Sequence, residues 1–114
     1  GTPIAVALLD QRICCGVGNV YKSEVLHAEG LDPRTPVDAV DVELRGRLVH
    51  TSHRLLRANL GGGPRVTVVG GLAVYGRKGE ECPRCGAFIE RIVQGEHARS
   101  TYWCPGCQLP PGQG

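Results

Sequence analysis

Cys82-Pro83-Arg84-Cys85 and Cys104-Pro105-Gly106-Cys107 are the two stretches that decide the fold of the C-terminal part of this chain. Eighteen residues separate them, within the window in which two C-x-x-C knuckles hold one structural zinc. Two intervening residues let a tight turn aim both thiolates at one point, at zinc–sulfur distances of about 2.3 Å. Gly86, directly after the first pair, can adopt the positive φ such a turn needs. Four thiolates close the coordination shell, leaving no position for an activated water, so the ion is expected to be structural. Two disulfides, a redox C-x-x-C and an iron centre with four thiolates are the alternatives. His97, between the knuckles, is surplus to a tetrahedron and reads as an exposed hairpin residue. Ala87–Val93 and Ala98–Trp103 read as the two strands of a hairpin around Gln94-Gly95-Glu96-His97.

Outward from the knuckles, the chain offers little material for one large core. Its 114 residues include one Trp, one Phe and three Tyr, and small domains of this kind often rely on a bound metal. Lys and Arg number 13 against 11 Asp and Glu, a net charge of only +2. That balance does not by itself imply a nucleic-acid partner; where the basic residues sit carries more weight. No run is apolar for long enough to span a bilayer, and the first residues do not resemble an export signal. No membrane partner is therefore expected, and a reducing bacterial cytoplasm favours metal over disulfide for the paired cysteines.

The N-terminal half reads as helical. Thr2 and Pro3 suit a helix start, and Ile4, Ala5, Leu8, Leu9 and Ile13 recur at helical spacing through Ile13. Gly16-Val17-Gly18-Asn19 breaks this helix. Asn19 then caps a second one, through Tyr21, Val25 and Leu26 to a terminator at Gly30. Cys14 and Cys15 read as small buried side chains. A third helix starts near Asp41, with Leu44, Leu48, Leu55, Leu56 and Leu60 on its apolar face and Arg45, Arg47, Arg54 and Arg57 largely off it. Gly61-Gly62-Gly63-Pro64 stops it. Arg65–Gly71 reads as a flexible connector, in which Val66, Val68 and Val69 form at most a short strand, and Leu109–Gly114 as a frayed tail. The division that follows is a helical domain over 1–60, a connector over 61–78, a four-cysteine finger over 79–110 and a tail over 111–114. The fold class is α+β: a small helical bundle followed by a two-stranded zinc ribbon.

Taken singly, the turn before Asn19 and the basic strand residue Arg99 are weak signals. A G-x-G-N turn presents main-chain N–H groups and a helix dipole to a phosphate, yet is more often only a sharp turn. Arg99 is equally readable as a solvated strand residue.

Together they carry a resemblance. Asp10-Gln11-Arg12-Ile13-Cys14-Cys15-Gly16-Val17-Gly18-Asn19-Val20-Tyr21 resembles the helix–two-turns–helix signature of the formamidopyrimidine-DNA glycosylase and endonuclease VIII family, with Glu24 at that family's acidic position. Val74-Tyr75-Gly76-Arg77-Lys78-Gly79 is similar to the segment before the family's zinc finger, and the finger matches through Cys82, Cys85, Arg99, Cys104 and Cys107.

The resemblance implies a DNA-binding role in base-excision repair of oxidised bases, within a bifunctional glycosylase and abasic-site lyase. Gly18 and Asn19 would grip phosphates flanking the lesion, and Arg99 would grip the same backbone from the finger. Cys82, Cys85, Cys104 and Cys107 would hold the zinc that aims Arg99. Such contacts position a duplex without reading its sequence, and the damaged nucleotide is then turned out of the stack. The partner expected is double-stranded DNA, especially damaged or abasic, bound by a monomer.

The family's usual gap between knuckles is slightly shorter, which alters the reach of Arg99, and Cys14 and Cys15 stand where it has aliphatic residues. Its N-terminal proline amine and adjacent glutamate, carried on a separate domain, have no counterpart in Gly1-Thr2-Pro3-Ile4. No catalytic residue is assigned here, and the 114 residues alone are expected not to cut DNA. The short connector Leu60–Gly71 leans towards the endonuclease VIII branch. The rival readings are a non-catalytic zinc-ribbon module for nucleic acid or protein, and a redox protein.

Overall fold

The computed structural model describes residues 3–4, 19–59, 67–68, 71–94 and 99–111. Helix α1 spans Asn19–Ala28 and helix α2 spans Val42–Ala58, with a short 3₁₀ helix at Val37–Ala39 between them. Strands β1 (Glu90–Gln94) and β2 (Arg99–Trp103) form an antiparallel hairpin, paired from Glu90 with Trp103 to Gln94 with Arg99. The class is α+β, as the sequence implies.

Each element has a local cause. The Asp41 carboxylate accepts from Leu44 N at 2.8 Å, taking up one of the helix's unpaired donors and starting α2. Glu43 in the first turn and Arg57 in the last complement the helix dipole. Leu44, Leu48, Thr51, Ser52 and Leu55 form the buried stripe, while Arg45, Arg47, Arg54 and Arg57 are exposed. The two hydroxyls inside the stripe are satisfied: Ser52 donates to Leu48 O at 2.7 Å and Thr51 to Glu29 Oε2 at 2.8 Å. Leu56 is half-buried; Leu60 and the Gly61–Pro64 stop lie outside the described residues.

Helix α1 ends as expected at Gly30, whose φ of 66° accompanies Gly30 N donating to His27 O and Leu31 N to Leu26 O. Its environment is unusual for a short helix, because every residue from Lys22 to His27 is buried. It packs against α2 on one flank and β2 on another. Val25 and Leu26 enter a cluster with Ile4, Leu31, Val40, Leu44, Leu48 and Leu55. A second cluster, of Ala73, Val74, Cys82, Ile89 and Cys104, lies under the finger.

The hairpin departs from its expected bounds. The first strand begins at Glu90 rather than Ala87, because Ala87–Ile89 pair backwards with the first knuckle: Cys82 N donates to Ala87 O, and Ile89 N to Glu80 O. Gln94 belongs to the strand instead of the turn. The tail is likewise more ordered than expected at its start. Leu109 pairs with Leu31, its N–H donating to Gly30 O and its carbonyl accepting from Asp32 N, while the buried Gln108 amide donates to Leu31 O and its oxygen accepts from Cys104 N. Residues 112–114 are outside the described set, as are Cys14, Cys15, His97, the turn at 16–18 and all but the start of the expected helix from Thr2. At that start, Pro3 bridges to Pro36 and Ile4 N donates to Thr35 O.

Candidate metal centre and nucleic-acid face

The two knuckles converge. One sulfur from each of Cys82, Cys85, Cys104 and Cys107 falls within 4.8 Å of all the others. Cys82 and Cys107 approach to 3.8 Å and Cys85 and Cys104 to 3.3 Å, far beyond a disulfide bond. A zinc tetrahedron with bonds of about 2.3 Å has sulfur–sulfur edges of about 3.8 Å. The residues fit the ion.

The turns are built for it. Gly86, at φ 81°, lets its N–H return to Cys82 O at 2.9 Å. At Gly106 a Cβ would fall 2.9 Å from Cys85 Sγ and 2.8 Å from the Ala87 methyl, so the second knuckle closes only around glycine.

Without a cation the sulfurs frustrate one another. Burial pushes the Cys107 thiol up, and hydrogen bonds with Cys104 and Cys82 push it further. Cys104 is raised by burial and by Cys85. For Cys82 burial also acts upward, but His27 and the N–H groups of Cys85 and Arg84 outweigh it and bring the thiol down to about 6. A divalent ion makes all four thiolates favourable together and displaces their protons.

The helical and finger halves meet along α1. Lys22 Nζ donates to Ser100 O at 2.9 Å, and Ser23 Oγ accepts from Tyr102 N at 3.1 Å, so α1 is stitched to β2. Arg99, exposed, is the first residue of β2; Asn19 is the first residue of α1, one turn before Lys22. The stitching thus holds Lys22, one turn into α1, in the field of Arg99. Gly18 and the Asn19 side chain lie outside the described residues. Lys22 is itself a cation in this corner, lowered to about 8 by burial and by the charge of Arg99.

Glu24 organises the approach to the finger. Its buried carboxylate accepts from Ala73 N at 2.7 Å, from Val74 N and Tyr75 N at 2.9 Å each, and from the Thr67 hydroxyl. Arg77 continues the path, donating to Ala73 O at 2.8 Å and to Glu80 Oε1 at 3.0 Å. Tyr75 then meets Tyr102 edge-on, with ring centroids 5.0 Å apart. Residue-by-residue reading misses Lys22 and His27 as parts of this region. The only signal was position: Lys22 stands one turn after the G-x-G-N motif.

Known families agree with this arrangement. Residues 1–68 match the formamidopyrimidine-DNA glycosylase H2TH domain, and residues 79–109 match the zinc finger found in FPG and IleRS. The chain belongs to the formamidopyrimidine-DNA glycosylase H2TH family. Its finger, with four converging sulfurs, is that of one structural Zn2+.

Among relatives of this family, the chain is 41% identical to a formamidopyrimidine-DNA glycosylase of Laribacter hongkongensis, over 92% of this chain and 42% of that protein. It is 43% identical to the DNA-(apurinic or apyrimidinic site) lyase Nei2 of Mycolicibacterium smegmatis, over 93% and 42% respectively. The crystal structure of Lactococcus lactis Fpg with abasic-site DNA superposes with a TM-score of 0.80 at 32% identity, covering 94% of this chain and 42% of that one. The chain therefore spans about two fifths of the length of these curated relatives.

Proposed function

We propose that this chain is the DNA-gripping part of a base-excision repair glycosylase and abasic-site lyase that acts on oxidised bases. Gly18 and Asn19 supply main-chain and side-chain donors to phosphates flanking the lesion, and Arg99 supplies a guanidinium from the finger. Cys82, Cys85, Cys104 and Cys107 hold the zinc, which fixes the hairpin and hence the direction of Arg99. Lys22 joins the set.

The observation that supports this reading is the stitching of α1 to β2, which holds Lys22, one turn after Asn19, in the field of Arg99. Two cations held in each other's field raise one another's electrostatic energy. A phosphate at that corner relieves the repulsion and receives charge-assisted hydrogen bonds. Helix N–H groups add donors of the same sign. These contacts are to the DNA backbone, so they hold a damaged duplex in register without selecting its sequence.

Base removal and strand cleavage belong to the whole enzyme, through an N-terminal catalytic domain of the same protein acting as a monomer. The 114 residues on their own do not cleave. Borohydride trapping on an abasic duplex is expected to leave no covalent adduct, and a clear adduct would overturn that statement. The DNA face is mapped by amide shifts on adding abasic duplex. Shifts should centre on Asn19, Lys22, Arg99 and Ser100; shifts confined to the outer face of α2, around His53 and Arg54, would contradict the reading.

A further inference from the structure

His27 stands in the last turn of α1 and is 2% exposed. Its ring reaches the first knuckle: Nε2 lies 3.3 Å from Cys82 Sγ and 3.7 Å from Cys107 Sγ. Its main-chain oxygen accepts from Arg84 Nη1, of the same knuckle, at 3.0 Å. One residue of α1 thus holds the C-x-x-C turn by both its side chain and its backbone.

We infer that His27 is a positioning residue for the zinc centre, donating its Nε2–H to the Cys82 thiolate and so locking the finger to the helix that begins at Asn19. The inference rests on zinc occupying the four cysteines and is independent of what the protein binds. A zinc-bound thiolate carries no proton, so the hydrogen between nitrogen and sulfur belongs to Nε2. The four sulfurs complete the tetrahedron, which leaves His27 outside it as an orienting donor. Donors to metal ligands fix ligand orientation and tune metal affinity, and losing one typically costs about 10–100-fold in that affinity.

A hydrogen bond to sulfur also withdraws electron density, making the thiolate less attractive to protons and electrophiles. The two contacts of His27 therefore act together. The side chain steadies the sulfur, and the Arg84 bond steadies the turn that carries it.

The alternative is that His27 merely fills space. His27→Phe keeps a ring without the donor, whereas His27→Gln returns an N–H near the Nε2 position. Zinc content is measured first, so a protein that binds no zinc is recognised as a failure of the metal assignment itself. In the cobalt-loaded proteins, His27→Phe should move the thiolate-to-metal charge-transfer band to lower energy, and His27→Gln should restore it towards wild type. Chelator competition should show zinc held about ten-fold or more weakly by His27→Phe, with most of the loss recovered in His27→Gln. An unmoved band with unchanged zinc affinity in His27→Phe would overturn the inference. If His27→Phe does not fold, the wild-type protein loaded with cadmium-113 decides. Scalar coupling between the metal and the His27 Nε2 proton supports the bond, and its absence refutes it.

Discussion

The Lys22 ammonium donates to the main-chain oxygen of Ser100 at 2.9 Å, joining α1 to β2 across 78 positions of chain. That bond decides where Arg99, the next residue back along β2, stands relative to the first turn of α1. It also holds a lysine inside the protein beside a second cation, an arrangement with a cost in the free protein.

The cost has a pH signature. Burial first, and Arg99 second, lower Lys22 from 10.5 to about 8 in the folded chain. Below about 8 the group is charged in both folded and unfolded states, and the fold carries the full penalty of that charge. Between about 8 and 10.5 the unfolded chain keeps the proton that the folded chain has released, so this group's contribution to stability rises with pH. Duplex binding should run the other way, weakening as pH climbs through about 8, because phosphate favours the charged amine. Lys22→Met should flatten both profiles in that window, and profiles identical to wild type would show that Lys22 is not their source.

Glu24 should be a stability determinant. Glu24→Ala leaves three main-chain N–H groups of residues 73–75 without their carboxylate, those of Ala73 and Val74 in buried residues and that of Tyr75 in a half-buried one. At about 1–3 kcal/mol for each stranded donor, partly relieved by water, a loss on the order of 3 kcal/mol is expected. Urea unfolding measures it. A change below about 0.5 kcal/mol, the level of an ordinary surface substitution, would mean that the carboxylate is not what holds this segment.

Much of this was legible in the sequence. Asp41 and the leucines after it announce α2, and the two C-x-x-C pairs with Gly86 announce the metal centre, because each is a local pattern with a local cause. Lys22, Glu24 and His27 were harder. All three are buried polar residues on a helix enclosed by α2, the hairpin and the 73–75 segment, so no apolar stripe separates an inside from an outside. Their partners, Ser100, Val74 and Cys82, lie 50 or more positions away and are set by tertiary packing. The early start given to β1 has the same origin: Ala87–Ile89 have strand-like composition, but their partners belong to the knuckle.

Metal removal should act unevenly. Cys82 and Cys104 lie in the cluster beneath the finger, while the helical cluster around Leu44, Leu48 and Val25 contains no metal ligand. Chelation is expected to release one equivalent of zinc and collapse the β1–β2 amide dispersion while most helical circular dichroism persists. Equal loss of both signals would show that the helices depend on the metal directly.

Burial separates two apolar side chains of similar appearance in sequence. Leu48 is 2% exposed within the helical cluster, and Leu48→Ala should cost about 2–5 kcal/mol. Phe88 is 65% exposed, and Phe88→Ser should change stability by less than about 0.5 kcal/mol. Thermal melts of the two variants test both statements, and a reversed order would contradict the packing described.

The most direct test of the account is fluorescence anisotropy with a duplex carrying a stable abasic-site analogue, run at several salt concentrations beside the intact duplex and the Arg99→Ala protein. Preference for the abasic duplex is expected, with about ten-fold weaker binding without Arg99, as for loss of one charge-assisted contact, and a salt slope shallower by about 0.9. Zinc-loaded, folded protein that binds both duplexes equally, or whose binding is indifferent to Arg99, would contradict it.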